Sequence, residues 1–586
     1  MHISLGNDLS DFKIPDLTDI QKSSYKWFFT EGIQEILQEI NPIKDTTGRE
    51  WTINFSSPRL EKPELTYKQA QEKGVSYTAP WYLNLKLIKE GTRQSKEISQ
   101  YMGEIPLMTP KGSFIINGVE KIVVMQLTRS YGVLFLEDLN TETGKIMPLV
   151  KVLPKYGAWL EMDITKASVL YVKIDKKRKF PVTTLLRIFG LSTDDKIRET
   201  FESVDVGEIS IIEKTLEKDT TSSYNEAVLD IYKRLRPGEP EILDDAKAVI
   251  ENMFFNTKRY NMGKVGRFKI NQSLKFDQKT STSLTLTPED LINIVKKTLQ
   301  LANGIGSYDV LDDLSNRRVK GVGELLQSQT RIGFVQMERN IKERMSLMPR
   351  EILPEISSLV STRPVVARIQ SFFASGQLTQ YPDQYNSLTA LNLMRRVSVL
   401  GPGGLTKERA SFSVRDVHHS QYSKVDPIHT PEGTSVGLLT YLALYAKVNE
   451  FGFLEAPYRK LIKENGKVKV SDEIVYLAAY EERNHYIAEV GMNFDKNGFI
   501  SDSRIAIRKG EEFKLGLPME ADYIDVIPQQ ILGLTSGLIP FVANNDPTRS
   551  AMASQQITQA VPVVGAEVPL VGTGLEEAAS DNARSN

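Results

Sequence analysis

Residues 395–439 read RRVSVLGPGGLTKERASFSVRDVHHSQYSKVDPIHTPEGTSVGLL, and the organisation of the chain unfolds outward from this stretch. Gly401-Pro402-Gly403-Gly404 joins one residue of fixed φ to three that tolerate left-handed backbone, which predicts a tight exposed loop. Around it, residues 391–415 hold five bases, Arg395, Arg396, Lys407, Arg409 and Arg415, against one acid, Glu408. A polyanion fits this excess of positive charge, and a surface turn with solvated bases fits it equally. The loop lacks the Walker A pattern of a nucleotide cradle. Pro427 and Pro431 then bracket a turn holding His429, with Glu432 just after it and Val436, Leu438 and Leu439 placed to pack beneath. This predicts a rigid ledge, in which a lone histidine or glutamate is more often structural than catalytic. His418 and His419 have no carboxylate or histidine at zinc-ligand spacing, so no metal site is expected there.

Upstream, Thr18 and Gln21 have capping-box spacing, and Ile20, Trp27, Ile33, Leu37 and Ile40 follow at roughly helical intervals before Pro42. Residues 82–87 alternate, and Phe114-Ile115-Ile116 reaches Ile122-Val123-Val124 through Asn117-Gly118, a pair suited to a tight hairpin. Leu160, Met162 and Ile164 alternate again, and 181–253 reads mostly helical with a break at Pro237-Gly238. Phe334, Met337, Ile341, Met345 and Met348 recur at helical spacing and give one apolar face. Between about 451 and 530, short alternating segments such as 467–470 and 505–507 lie between Gly and Asp turns, as in a beta-rich module. Helices and strands thus occupy separate blocks, and an α+β multidomain chain is predicted.

The 586 residues exceed what one hydrophobic core usually supports. No apolar run approaches the roughly 18 residues of a membrane span, and the start MHISLGNDLSDFKIPDL lacks a secretory pattern, so a cytoplasmic protein is expected. The absence of cysteine removes disulfides, thiolate nucleophiles and cysteine zinc sites. A net charge of −1 argues against a wholly cationic coat, yet two basic patches stand out. One, within 255–279, carries Lys258, Arg259, Lys264, Arg267, Lys269, Lys275 and Lys279 against Asp277; the other runs from Lys173 to Lys179. Clustering alone leaves both open, because charge runs are usually solvated faces. HExxH and Rossmann patterns are absent, and so is the aspartate cluster that two-metal nucleotidyl transfer requires.

Longer words of the sequence carry a resemblance. MGEIPLMTPKGSFIINGVEKIVVMQLTRS, then LRPGEPEILDDAKAVIENMFFNTKRY, NRRVKGVGELLQ, the whole of 395–439, NEFGFLEAPYRK, IPFVANNDPTRSAMASQQ and VPLVGTGLE resemble, in content and order, the N-terminal half of the bacterial-type RNA polymerase beta subunit. The likeness runs from about Lys13 to Glu576. It implies a split or truncated subunit with a protrusion at 1–131 and 316–380, a lobe at 132–315, a fork region at 381–450, an external beta-rich module at 451–535, and the start of the central core at 536–586. The implied activity is that of a DNA-directed RNA polymerase, a nucleotidyltransferase, with this chain forming one side of the DNA/RNA cleft and inactive alone. A non-catalytic fragment that binds nucleic acid or polymerase is the alternative. The implied partners are the beta-prime subunit, an alpha dimer, omega, a sigma factor and the missing C-terminal half of beta, with DNA template, RNA transcript and nucleoside triphosphates. No cofactor is expected on this chain, Mg2+ being held by beta-prime, and the implied location is the bacterial cytoplasm or nucleoid, or less readily a plastid.

The resemblance also assigns residues. Arg549 matches an arginine near the incoming triphosphate, and Gln559 a residue near the RNA end. Lys407, with the glycine loop, matches a fork element whose usual arginine has a planar fork that lysine lacks. Glu432 matches a fork glutamate near the RNA, with Ser435 in place of the usual asparagine. Arg395, Arg396 and Arg409 join them as nucleic-acid contacts, and Lys258, Arg259 and Lys264 as phosphate contacts on the lobe. Segment 377–400 matches the lining of the rifampicin pocket: Gln380, Asp383, Arg396 and Ser398 stand at drug-contacting positions. Leu393 replaces a histidine there and Tyr131 a proline in a neighbouring turn, which implies reduced sensitivity.

Overall fold

The computed structural model describes residues 12–45, 51–90, 94–139, 144, 146–276, 282–347, 355–464, 466–495 and 498–584; Asp277, Lys279 and Met348 lie outside them. Two compact units result, Met1–Thr128 with Arg318–Asn586, and Arg129–Arg317. Among the described residues no helix is long and apolar enough to cross a membrane.

In the first unit, helix Asp19–Trp27 passes through a π turn, Phe28–Gly32, into helix Ile33–Ile40. The capping box expected at Thr18 does not form. The Thr18 hydroxyl and N–H both turn back to the Asp16 carboxylate, at 2.7 and 2.9 Å, so the preceding aspartate sets the helix entry. A four-stranded antiparallel sheet follows, Ile43–Lys44, Trp51–Leu60, Thr78–Lys89 and Ser95–Pro106 in that order. Along its third strand Ala79, Trp81, Leu83, Leu85 and Leu87 are buried, as period-two alternation requires. The long helix Val322–Leu347 lays Phe334, Met337, Ile341 and Met345 onto the same core. Gly333 lets helix Arg363–Ser375 close on it, since a Cβ there would lie 2.8 Å from the Val365 Cα. The hairpin of Phe114–Ile116 and Val119–Val123 turns at Asn117 and Gly118, both at positive φ, 51° and 79°.

Further along this unit, strand Arg396–Ser398 lies between Met125–Arg129 and Leu439–Tyr441. A seven-stranded sheet then gathers Leu454–Glu464, Lys467–Ala478, Ile505–Lys509, Tyr523–Asp525 and three further strands over Val468, Ile507 and Ile524. It is keyed to the segment before the ledge by buried charge. The Lys424 side chain has no exposed surface and pairs with Glu482. Arg508 donates to both Asp525 oxygens, at 2.9 and 2.8 Å, and lies 3.7 Å from the Tyr422 ring centroid.

The second unit is a five-stranded antiparallel sheet whose strands run, across the sheet, Phe180–Pro181, Leu170–Ile174, Leu160–Ile164, Ile146–Leu153 and Gly132–Leu139. Helices including Val182–Ile188, Tyr224–Leu235 and Pro288–Ala302 cover it around one core. Here the basic run of 255–279 divides. Arg267 is buried against Asp290 at 2.8 Å, and Lys269 is buried with its ammonium donating to the Ser315 carbonyl at 3.0 Å. These two hold the fold together, since a buried cation needs a partner. Lys258, Arg259 and Lys264 are exposed. In the other run Lys173 pairs with Asp163 at 3.4 Å, while residues 176–179 turn outward.

Candidate functional site

A single side chain, Asn386, sets the site's two helices. Its oxygen accepts the Thr389 N–H at 3.0 Å and so caps helix Ser387–Met394. Its nitrogen donates to the carbonyls of Ile557, Thr558 and Ala560, at 3.1, 3.3 and 2.8 Å, at the end of helix Pro547–Gln559. The last carbonyls of a helix lack intrahelical donors. Asn386 supplies one, and Gln559 is placed with them.

Helix Ser387–Met394 runs through Arg395 into strand Arg396–Ser398, and the change of period sends the two arginines opposite ways. Arg395 is buried and donates to the carbonyls of Leu17, Ala443 and Leu444, while burial pushes its pKa down to about 10. It is a structural cation, which corrects its assignment as a nucleic-acid contact. Arg396 donates to the Tyr441 hydroxyl through Nε and Nη2, at 2.9 and 2.7 Å, and to Gln380 Oε1 at 3.3 Å. Those bonds use three of the five guanidinium N–H groups and aim the plane.

The ledge hangs on Asp426, whose buried carboxylate accepts the N–H groups of Ile428 and His429 and the Ser536 hydroxyl, the last at 2.6 Å. Burial raises its pKa against the pull of those bonds. His429 stacks on Tyr441, centroids 3.8 Å apart and planes 5° from parallel, with Nδ1 2.7 Å from the Thr535 hydroxyl. Burial, then the Arg396 charge, push its pKa down to about 3, so the imidazole is neutral at pH 7. Leu438 packs beneath as expected, but Val436 is exposed. Between them Gly437, at φ 72°, brings the chain so close to Arg415 that a Cβ would sit 2.4 Å from its carbonyl oxygen.

These elements enclose a cleft of about 390 Å³. Gln380, Asp383, Leu393, Arg396, Glu432 and Gln559, drawn from three separate sequence segments, all line it. Sequence reasoning missed Tyr381, Asn392, Tyr441 and Gln555, which line it too. Tyr441 left no distinct trace in the sequence, since it lies in the nearly continuous apolar run 438–446, part of which becomes the strand opposite Arg396. The other singled-out residues lie elsewhere. Ser398 is buried, its hydroxyl bonded to the Leu400 N–H and carbonyl, and does not line the cleft. Lys407 and Arg409 are exposed on a short 3-10 turn. Arg415 donates to the carbonyls of Thr434, Val436 and Lys407 and staples the loop to the ledge. The positive excess of 391–415 is therefore dispersed. Arg549 is exposed in the first turn of helix Pro547–Gln559, about 15 Å of helix from Gln559. Lys258, Arg259, Lys264 and Tyr131 belong to the second unit.

Within the cleft one guanidinium faces two carboxylates, Asp383 and Glu432, and several amides and hydroxyls. Such a lining suits ligand edges that both donate and accept hydrogen bonds, as base and sugar edges do, better than it suits phosphate alone. Two carboxylates beside a fixed cation are a poor match for a pair of divalent ions.

Residues 148–320 match the family described as RNA polymerase Rpb2, domain 2, and residues 380–448 match RNA polymerase Rpb2, domain 3. Residues 458–526 match the RNA polymerase beta subunit external 1 domain. The DNA-directed RNA polymerase subunit beta of Syntrophomonas wolfei subsp. wolfei is 43% identical over 570 residues, which cover 97% of this chain and 50% of that protein. The chain thus spans about half the length of the curated relative it matches.

Proposed function

We propose a function from the family to which this chain belongs, that of the RNA polymerase beta subunits: it forms one side of the DNA/RNA cleft of a DNA-directed RNA polymerase. The observation that carries this reading is the convergence of Gln380, Arg396, Glu432 and Gln559 on one cleft of mixed hydrogen-bonding character. In it, Gln559 and Glu432 contact the RNA side of the hybrid, and Lys407 and Arg409 add charge from the neighbouring loop. Arg549 meets the incoming triphosphate, where a fixed cation at a helix N-terminus favours negative charge as it develops. Magnesium, which polarises the phosphates, is held by aspartates of beta-prime; the donor set here does not suit it. The working assembly adds an alpha dimer, omega, a sigma factor and the rest of beta, in the cytoplasm.

Assembly with those subunits tests the reading. The chain alone is expected to extend no RNA, and the assembled enzyme to do so, with Arg549→Ala lowering extension by roughly 100-fold. Unchanged extension in that variant removes Arg549 from the site. Binding without extension in any assembly leaves a non-catalytic binding fragment. The same cleft is our proposed rifampicin site. Leu393 there can neither donate nor accept a hydrogen bond, a loss of about 1 to 3 kcal/mol for a buried polar drug atom. Leu393→His is expected to increase inhibition by roughly five-fold or more; equal inhibition curves reject the role of that side chain.

A further inference from the structure

Between helices Pro547–Gln559 and Glu576–Arg584 the chain crosses 560–572 as a strap, AVPVVGAEVPLVG, that turns at Val564–Gly565 and bends at Leu570–Val571. Both ends are fixed. Asn386 and Thr389 bind carbonyls of residues 557–560, and Leu575 and Ala579 enter a buried cluster with Leu391 and Leu444. The middle is bare. Val561, Val563 and Val568 are 69%, 70% and 85% exposed, Val564 and Leu570 are fully exposed, and Glu567 is the strap's sole charge. Apart from its own turn at Val564–Gly565, 561–572 makes no backbone hydrogen bond to another described segment.

Single exposed aliphatics are ordinary, but six in eleven residues form an apolar seam of the kind that marks an interaction surface. The backbone on either side of that turn, paired with no other described segment, is also a ready edge for strand addition. The near absence of charge excludes nucleic acid as the occupant, because phosphate binding needs cations. Interfaces this apolar belong to permanent associations rather than to transient ones. The relative that aligns with 97% of this chain is twice as long, so in it the strap shares a polypeptide with about as many residues again.

We infer that strap 560–572 is the seam on which the other half of the beta polypeptide docks, pairing strands with its backbone and covering Val564 and Leu570. This rests on the proposed function and adds a location to it. The seam works in either covalent arrangement of the two halves.

The test uses tagged polymerase purified through this chain, with benzoylphenylalanine at position 564 or 570 and at Leu139 as an exposed control. Irradiation is expected to join 564 and 570, but not 139, to a peptide aligning with the half of the S. wolfei subunit outside this chain's span. Amides of 561–571 are expected to exchange at least tenfold more slowly in the polymerase than in the chain alone. A cross-link to any other subunit or to a second copy of this chain overturns the inference, as does no cross-link at either position or unchanged exchange. RNA extension by the same preparation reports separately on the proposed function, so either reading can fail while the other stands.

Discussion

At neutral pH the His429 imidazole lies uncharged between Tyr441 and Thr535, and this governs how the ledge meets acid. Its pKa in the folded chain, about 3, is below the ordinary 6.5, so on acidification the unfolded chain takes the proton first. The stability it contributes is intact above pH 6.5 and is lost below it, by roughly 2 kcal/mol at pH 5. Asp426, raised by burial, acts the opposite way and offsets part of that loss. His429→Gln is expected to flatten the fall in denaturant midpoint between pH 7 and 5, and parallel curves for parent and variant reject this account. Arg395 and Arg396 mark where residue-level reading stops. Side by side in sequence they are equivalent cations, and which one faces the cleft depends on the helix-to-strand junction and on carbonyls from Leu17 and Ala443, both distant in the chain. The ledge was legible because prolines and glycine act locally; its anchor Asp426 was not, because Ser536 lies 110 residues away.

Elements whose signal is a period were read from the chain directly: the strand Thr78–Lys89, the hairpin at Asn117-Gly118 and the apolar face of helix Val322–Leu347. The cap at Thr18 was not, since the Asp16 carboxylate two residues earlier takes the hydroxyl first. Asn386 is the stronger case, because its amide caps one helix by its oxygen and closes another by its nitrogen, about 170 residues on. Asn386→Ala is expected to cost about 1 to 2 kcal/mol from the cap alone. Asn386→Asp keeps the cap but cannot donate, so it restores the first helix while amides of residues 555–560 stay fast in hydrogen exchange. If both variants protect those amides like the parent, the double role is wrong.

At the scale of the molecule, the basic run of 255–279 separates two functions that its sequence blends. Arg267 and Lys269 are internal struts, while Lys258, Arg259 and Lys264 face solvent on the second unit and are the proposed phosphate contacts. Replacing those three by alanine is expected to weaken DNA binding by the assembled polymerase and to lower the slope of log affinity against log salt by about one unit for each phosphate left without its cation. An unchanged slope returns them to a solvated face. The buried pair of Lys424 and Glu482 carries another kind of consequence. Losing the acid alone leaves a cation stranded in the interior at roughly 3 to 5 kcal/mol, whereas exchanging both for apolar residues is close to neutral. Through descent, then, the two positions are bound to drift together: a lineage that sheds the carboxylate sheds the ammonium with it, and a search for correlated substitution should return this couple although 58 residues part them.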